Sequence, residues 1–562
     1  MSVTLQHRRG TESQNNSFTG AQGEIVVDTT NEEIRLHNGV KLGGKILGGM
    51  SSEDTIASFR LMTKTPDTVY VTGYHTANDG AFGSHFFKKV TDTGQVDNGG
   101  TIIRTINGVY VLQYDGAINV MWFGADNTGT LADNSVAFNN AVTSMNGEGI
   151  LIFPAGNYNL TASFIMPLSG INQSITLMGY GANLHLTGKI VGIDRERPTS
   201  TTSGWTTQII NIEGFTIWGD LTPWQYGVRM FTTYSLSMKH IKVNNCDYGI
   251  AQYFCLNSKT ESCMTTNNVT VGFGLLNGNS DIEGSPALTG STWNNANSNG
   301  STFYNCRDFA RVGARASFLS EACDTYLFQS CISEGGNPIN AFEHHNHGST
   351  VSVGGRYVDP HIENNPTNAV FALYETSGGQ YIIDGQDNIA NSPMLDLGAV
   401  SPSAHFKILS PRWISNFQIS GTNITTRNPL FTFETAANVS LNHFADVANW
   451  TNGVIGQYYA KGFNASNQII EENKFETIVN SFQNYTINSG LDGQLRKIIL
   501  NSKWHVDLNP GLTSYGVKVN GRLHAFGAVT SGATLGTVVG KYPIYNEAGT
   551  LIGYAPLYNS IT

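Results

Sequence analysis

Short apolar runs rich in β-branched residues recur from Ile150 to about Phe475, each broken by Asn, Gly or Asp. Residues 174–178, 208–212, 236–243, 302–304, 326–328 and 381–383 are such runs, and they return loosely every ~20 to 45 residues, as the strands of a solenoid do. Before them, residues 1–118 alternate short strand patterns with Asn/Gly and Asp/Gly turns, including Asn38-Gly39. After them, from about residue 490, apolar and polar positions alternate strictly, the pattern of half-buried antiparallel strands in a sandwich. One stretch breaks the β texture. Phe138, Ala141, Val142 and Met145 fall at helical spacing, Asp133 is the expected N-cap, and Gly147 and Gly149 stop the helix. A helix that short is marginal alone, so its apolar face is expected to cover the first rung of the strand stack.

Composition fits this reading. Charged residues make up 13 % of the chain and Gly numbers 62, the profile of turn-rich β structure. A net charge of −10 without a Lys/Arg cluster argues against nucleic acid as a partner. No apolar run approaches ~20 residues, so membrane insertion is not expected, and the N-terminus lacks the apolar core of a secretion signal. The six cysteines lie between 246 and 331 without paired CxxC spacing. They read as buried thiols made in a reducing cytoplasm.

The stretch Trp122 to Tyr158, with Trp-Phe-Gly-Ala, the Asp-led helix and Phe-Pro-Ala-Gly-x-Tyr, resembles the opening of pectate-lyase-like right-handed parallel β-helices. Phage tailspikes and capsular polysaccharide depolymerases carry the same signature. The pattern RRGT, F-x-GA-x-GEI-x-x-D and HNG between 8 and 39 is similar to the N-terminal attachment domain of phage tropism determinants, and DNGGTII at 97–103 to a tailspike neck. The resemblance implies an all-β chain in four parts. These are an attachment domain over 1–50, seating the protein on the phage tail or an adaptor, and a neck over 51–118. A parallel β-helix follows over 119–489, with its capping helix near 133–146, and a C-terminal β-sandwich over 490–562 serves trimerisation or carbohydrate binding. It further implies a homotrimer in the virion tail, assembled in the host cytoplasm and acting on capsular polysaccharide at the bacterial surface.

Chemistry is sought among carboxylates, because glycosidic hydrolysis uses a protonated and an ionised acid. Rungs ~4.8 Å apart place carboxylates on neighbouring rungs near the retaining separation. The region 281–363 supplies most of them. Glu334 is the first candidate, followed by Asp308, Asp359 and Glu363. Aligning rungs on Cys306 and Cys331 brings Asp308 toward Glu334. However, Asp308 lies two residues past its cysteine and Glu334 three past, which in an unbroken strand sets them on opposite faces. Asp308 has a rival reading as a salt-bridge partner of Arg307, Arg311 or Arg315. Arg311, Arg315 and His361 are candidates for orienting an acidic sugar, with structural ion pairs as the alternative. Trp293 is the first stacking platform, with Trp218 and Trp224 behind it. Gly335-Gly336 is read as space for substrate beside Glu334. His344, His345 and His347 diverge too much to predict a metal site, and no cofactor is expected. Two alternatives to hydrolysis stay open: β-elimination by a Lys, Arg, Tyr or His base, and a non-enzymatic receptor-binding spike.

Overall fold

The computed structural model describes residues 7–30, 33–47, 50–166, 172–195, 207–276, 298–321, 323–345, 354–374, 380–384, 387–388 and 395–397, followed by separate strands as far as residue 558. The chain divides into units 1–504 and 505–562.

The first unit opens with a four-stranded sheet over Arg8–Leu47. Its polar centre is a buried pair, the Arg35 guanidinium donating to Asp28 at 2.7 Å and to Asn16 at 2.6 Å. A five-stranded sheet follows over Met50–Gln113. Asp97 of the DNGG stretch accepts a bidentate pair from Arg60 at 3.0 and 2.8 Å and the amide of Gly99 at 2.9 Å. The Phe123 ring lies against Gly100, where a Cβ would come within 2.5 Å of it. That close approach ties the DNGG turn to the Trp-Phe-Gly-Ala entry of the next domain.

That domain is a parallel β-solenoid. Three long sheets run along it, with 12, 9 and 11 strands among the described residues, and a complete coil gives one strand to each sheet. In one coil these are Ser298–Tyr304, Arg307–Ala310 and Ala316–Glu321, and in the next Cys323–Gln329, Ile332–Gly335 and Asn340–His345. The helix Ser135–Ser144 closes the first coil, its Phe138 ring meeting Phe153, Tyr158 and Phe164. Its N-cap is Asn134, one residue beyond the expected Asp133. Asp133 still accepts the Ser135 amide at 3.1 Å and also holds Thr161 of the first coil at 3.0 Å.

Inside the coils, Phe273, Phe318, Phe342 and Phe371 stack in register at 4.9 to 5.2 Å. The cysteines are free and buried, as expected. Cys263, Cys306 and Cys331 occupy the same corner of successive coils, Arg307 bonding to the Cys263 carbonyl and Ile332 to that of Cys306. Each is preceded by a residue at positive φ: Ser262 at 52°, Asn305 at 51° and Ser330 at 52°.

From 453 the pairing changes. Gly453–Phe463, Ile469–Val479 and Tyr485–Ser489 form an antiparallel meander, so the run at 468–475 is not a further rung. The last parallel strand is Leu441–His443. In the second unit Val538–Tyr545 and Leu551–Tyr558 form an antiparallel hairpin, and the rest of the expected sandwich lies outside the described residues. No helix among the described residues is long and apolar enough to cross a membrane.

Candidate active site

The corner between the first and second sheets fixes where every later side chain points. After the buried corner residue, the first and third residues of the strand face outward and the second faces the interior. For Cys306 these are Arg307, Asp308 and Phe309; for Cys331, Ile332, Ser333 and Glu334. The register pairs Asp308 with Ser333 and Phe309 with Glu334. Asp308 and Glu334 are therefore on opposite faces, and the expected pair does not form.

Asp308 is 2 % exposed and belongs to the interior. The Thr265 hydroxyl donates to it at 2.7 Å, Ser317 bonds to it, and its carboxyl lies over Gly272, where a Cβ would meet it at 2.6 Å. Burial pushes its pKa up to about 7 against these bonds. Ser317, Ser333 and Asn364 continue the polar ladder, at 2.7 and 2.9 Å. A carboxyl enclosed this way cannot reach a polysaccharide.

Asp359 is also set aside. It holds the positive-φ corner, at 47°, that Ser262, Asn305 and Ser330 hold in earlier coils, and its amide donates to the Asp384 carbonyl at 2.7 Å. The short strand His361–Ile362 lies between this corner and Glu363.

Glu334 and Glu363 do come together. Residues 332–333 pair with 361–362, and the Glu363 amide donates to the Ser333 carbonyl at 3.0 Å. The two carboxylates thus project outward from neighbouring coils, Glu334 13 % and Glu363 47 % exposed. Arg307 reaches Glu334 at 3.2 Å, and His361 Nε2 lies 2.8 Å from Glu363. The His361 hydrogen bond, then its charge, holds the Glu363 carboxyl below the usual range, with Glu334 and Arg307 acting the same way. The Arg307 guanidinium also covers the Phe309 ring at 5.7 Å. Gly336 serves packing rather than substrate space, since a Cβ there would sit 2.7 Å from the Val312 amide of the previous coil.

Arg315 belongs elsewhere. Its guanidinium binds Glu343 at 2.7 Å and Glu321 at 2.9 Å beside the third sheet. Arg311 lies in the turn between the second and third sheets and shows no ion pair among the described residues. His344 faces inward, 2.8 Å from Ser320, and His345 outward, 3.1 Å from Glu343. Trp293 and His347 lie outside the described residues. Trp218 is on the outer face of the second sheet and is 36 % exposed. Trp224 is half-buried, stacked near Tyr248.

Comparison with known proteins bears on the chain's N-terminal part. Residues 5–41 match the major tropism determinant N-terminal domain, and residues 53–115 the phage tail protein small four-stranded beta-sheet domain. The chain carries two phage tail domains. No curated protein matches the chain. Among solved structures it is similar to the tailspike gp42 of Acinetobacter phage vb_AbaP_AS12, at 12 % identity and a TM-score of 0.47, covering 84 % of this chain and 99 % of that one. The tailspike of Acinetobacter baumannii phage AM24 gives 15 % identity and 0.44, with 78 % and 83 % covered. The enzymatically active domain of bacteriophage CBA120 tailspike protein 4 gives 12 % and 0.44, with 84 % and 74 % covered.

Two residues of the candidate site do not stand out in the sequence. Arg307 was visible only as a rival partner for Asp308, and Phe309 not at all. Counting outward from the corner cysteine would have found both, since each stands one or three residues past Cys306.

Proposed function

We propose that this tail protein is a homotrimeric tailspike whose solenoid hydrolyses a capsular or other surface polysaccharide of the host bacterium, using Glu334 and Glu363. The observation that carries the reading is the stacking of these two carboxylates on the outer face of neighbouring coils, with Arg307 and His361 beside them. Strands ~4.8 Å apart suit the shorter separation of retaining glycosidases, ~5 to 5.5 Å. Glu363, held ionised, attacks the anomeric carbon or draws a proton from water. Glu334, beside it on the neighbouring coil, protonates the leaving oxygen. Arg307 keeps Glu334 oriented toward the bond being cut. The N-terminal domains seat the protein on the tail or an adaptor, and the C-terminal β module trimerises or binds sugar.

The pair Arg307 and His361 supports a second reading, β-elimination, in which Arg307 neutralises a uronate carboxylate and His361 removes the neighbouring proton. Purified protein incubated with capsular polysaccharide separates the possibilities. New saturated reducing ends support hydrolysis, and ultraviolet-absorbing unsaturated ends support elimination. No new ends would leave a spike that only grips the glycan.

A further inference from the structure

The chain is acidic as a whole, but one face of the solenoid is not. Six successive strands of the second sheet, from Gly156–Leu160 to Arg307–Ala310, fill their outward positions with Asn, Thr, Met and Phe besides His185, Trp218, Lys242 and Arg307. None of these is acidic. Burial lowers the pKa of His185, which sits 3.4 Å from Asn157 and stays neutral. Arg307 is engaged with Glu334. Lys242 remains, half-exposed, and it has no carboxylate partner among the described residues.

Register places Lys242 beside Thr216 and Asn244 beside Trp218, and the Lys242 ammonium lies 5.8 Å from the Trp218 ring. The nearest acids at the following corner are already committed. Asp220 accepts from Thr222 and Gly188 at 3.0 and 2.9 Å, and Asp247 from Trp224 and Thr270 at 2.7 and 2.5 Å. On the preceding corner Glu213 accepts from Tyr180 at 3.1 Å and Glu261 pairs with Lys259 at 2.8 Å. A partly exposed indole with an ammonium over its ring offers an apolar surface for a sugar and a point charge for an anionic substituent on it.

We infer that Trp218 and Lys242 form a subsite for an acidic sugar residue of the polysaccharide, three coils from the Glu334 and Glu363 pair. It rests on the reading of that pair as the cleavage site. The strands Lys242–Asn244 and Ile332–Gly335 are three steps apart, about 14 Å. A glycan must extend along the coil axis to occupy both places, so cleavage is internal and the repeat unit carries an anionic group.

The test uses the full chain with Glu334→Gln, so that binding is read without turnover, on an array of purified acidic and neutral capsular polysaccharides. An acidic polymer is expected to bind. Stripping its anionic group, by carboxyl reduction for uronates or dephosphorylation for phosphate diesters, should weaken binding about tenfold. Lys242→Gln should weaken it equally and add nothing on the stripped polymer, while Lys242→Arg retains binding. Trp218→Ala should weaken both forms. A neutral polymer bound as well as the acidic ones, binding to none of the acidic ones, or Lys242→Gln without effect overturns the subsite. Cleavage by Glu334→Gln at the wild-type rate overturns the cleavage reading instead, and the two failures are distinct.

Discussion

Two outer faces of the same coil carry the same kinds of residue to opposite ends. On the third sheet, Asp194 takes a bidentate pair from Arg229 at 2.9 and 2.8 Å, and Tyr226 stacks on Tyr248 at 4.6 Å. Further along, Glu343 is 3 % exposed and accepts from Arg315, Asn340 at 2.7 Å and His345 at 3.1 Å. These bonds hold the Glu343 carboxyl below its usual range despite burial, the largest single influence, which acts against them. On the second sheet, Glu334 and Glu363 have fewer fixed partners, and Glu363 is 47 % exposed while Glu334 beside it is 13 % exposed. A carboxylate whose lone pairs are all occupied by the fold has nothing left for a substrate. Saturation of the hydrogen bonds, rather than the supply of acids, separates a structural network from a site.

The sharpest way to break that comparison is by activity. Glu334→Gln and Glu363→Gln are each expected to lower kcat by about a hundredfold to ten-thousandfold at unchanged melting temperature. Glu343→Gln should lower the melting temperature and leave the kcat of the folded fraction alone. Equal losses of kcat in both sets would erase the distinction between the faces. The pH profile sharpens it. Because His361 depresses the Glu363 pKa, His361→Gln raises it, and the acid limb of the rate profile moves to higher pH. An unmoved limb would show that Glu363 does not set it.

Stability is the second test, and here the third face should dominate. Asp194→Ala strands a buried Arg229 guanidinium, at a cost of roughly 3 to 5 kcal/mol in denaturant unfolding. Removing the half-exposed Lys242 should stay within about 0.5 kcal/mol. Comparable losses would mean that the second face is as structural as the third.

The interior gives a third, pH-dependent contrast. The Asp308 carboxyl has a folded pKa of about 7, raised above its unfolded value of 3.8. The folded state therefore binds more protons than the unfolded between those values, and stability falls as pH rises through that window. Asp308→Asn removes the slope. Relative to wild type it should gain roughly 4 kcal/mol between pH 3 and pH 8, read as a diverging pair of unfolding curves. Parallel curves would show that Asp308 is not enclosed.

The coil and its cap were legible because they rest on repetition. Apolar runs returning at rung spacing and cysteines in YNC and QSC set the stack and even its register. What could not be read was which way the corner sends the chain. Glu334 and Glu363 are each three residues past their corner residue, and Asp308 two past. Only a known turn conformation converts that count into a face. Arg315 illustrates a second limit: a cation beside a candidate site looks like a substrate anchor until Glu321 and Glu343, 6 and 28 residues on, are seen to enclose it. The run at 468–475 reads as a further rung because alternation alone does not report strand direction, and the structure pairs it antiparallel.

Asp359 offers the smallest and most discriminating effect. Its φ of 47° belongs to a column in which Ser262, Asn305 and Ser330 do the same work without a charge. If the backbone corner is its role, Asn, which tolerates this conformation, should change stability by no more than about 0.5 kcal/mol and leave turnover at the wild-type value. Val, with a branched Cβ unsuited to positive φ, should cost about 1 to 2 kcal/mol and still cleave once folded. Loss of turnover in Asp359→Asn with an unchanged melting temperature would instead place a working carboxylate at the corner, and the boundary between open face and structural edge would have to be redrawn one strand earlier.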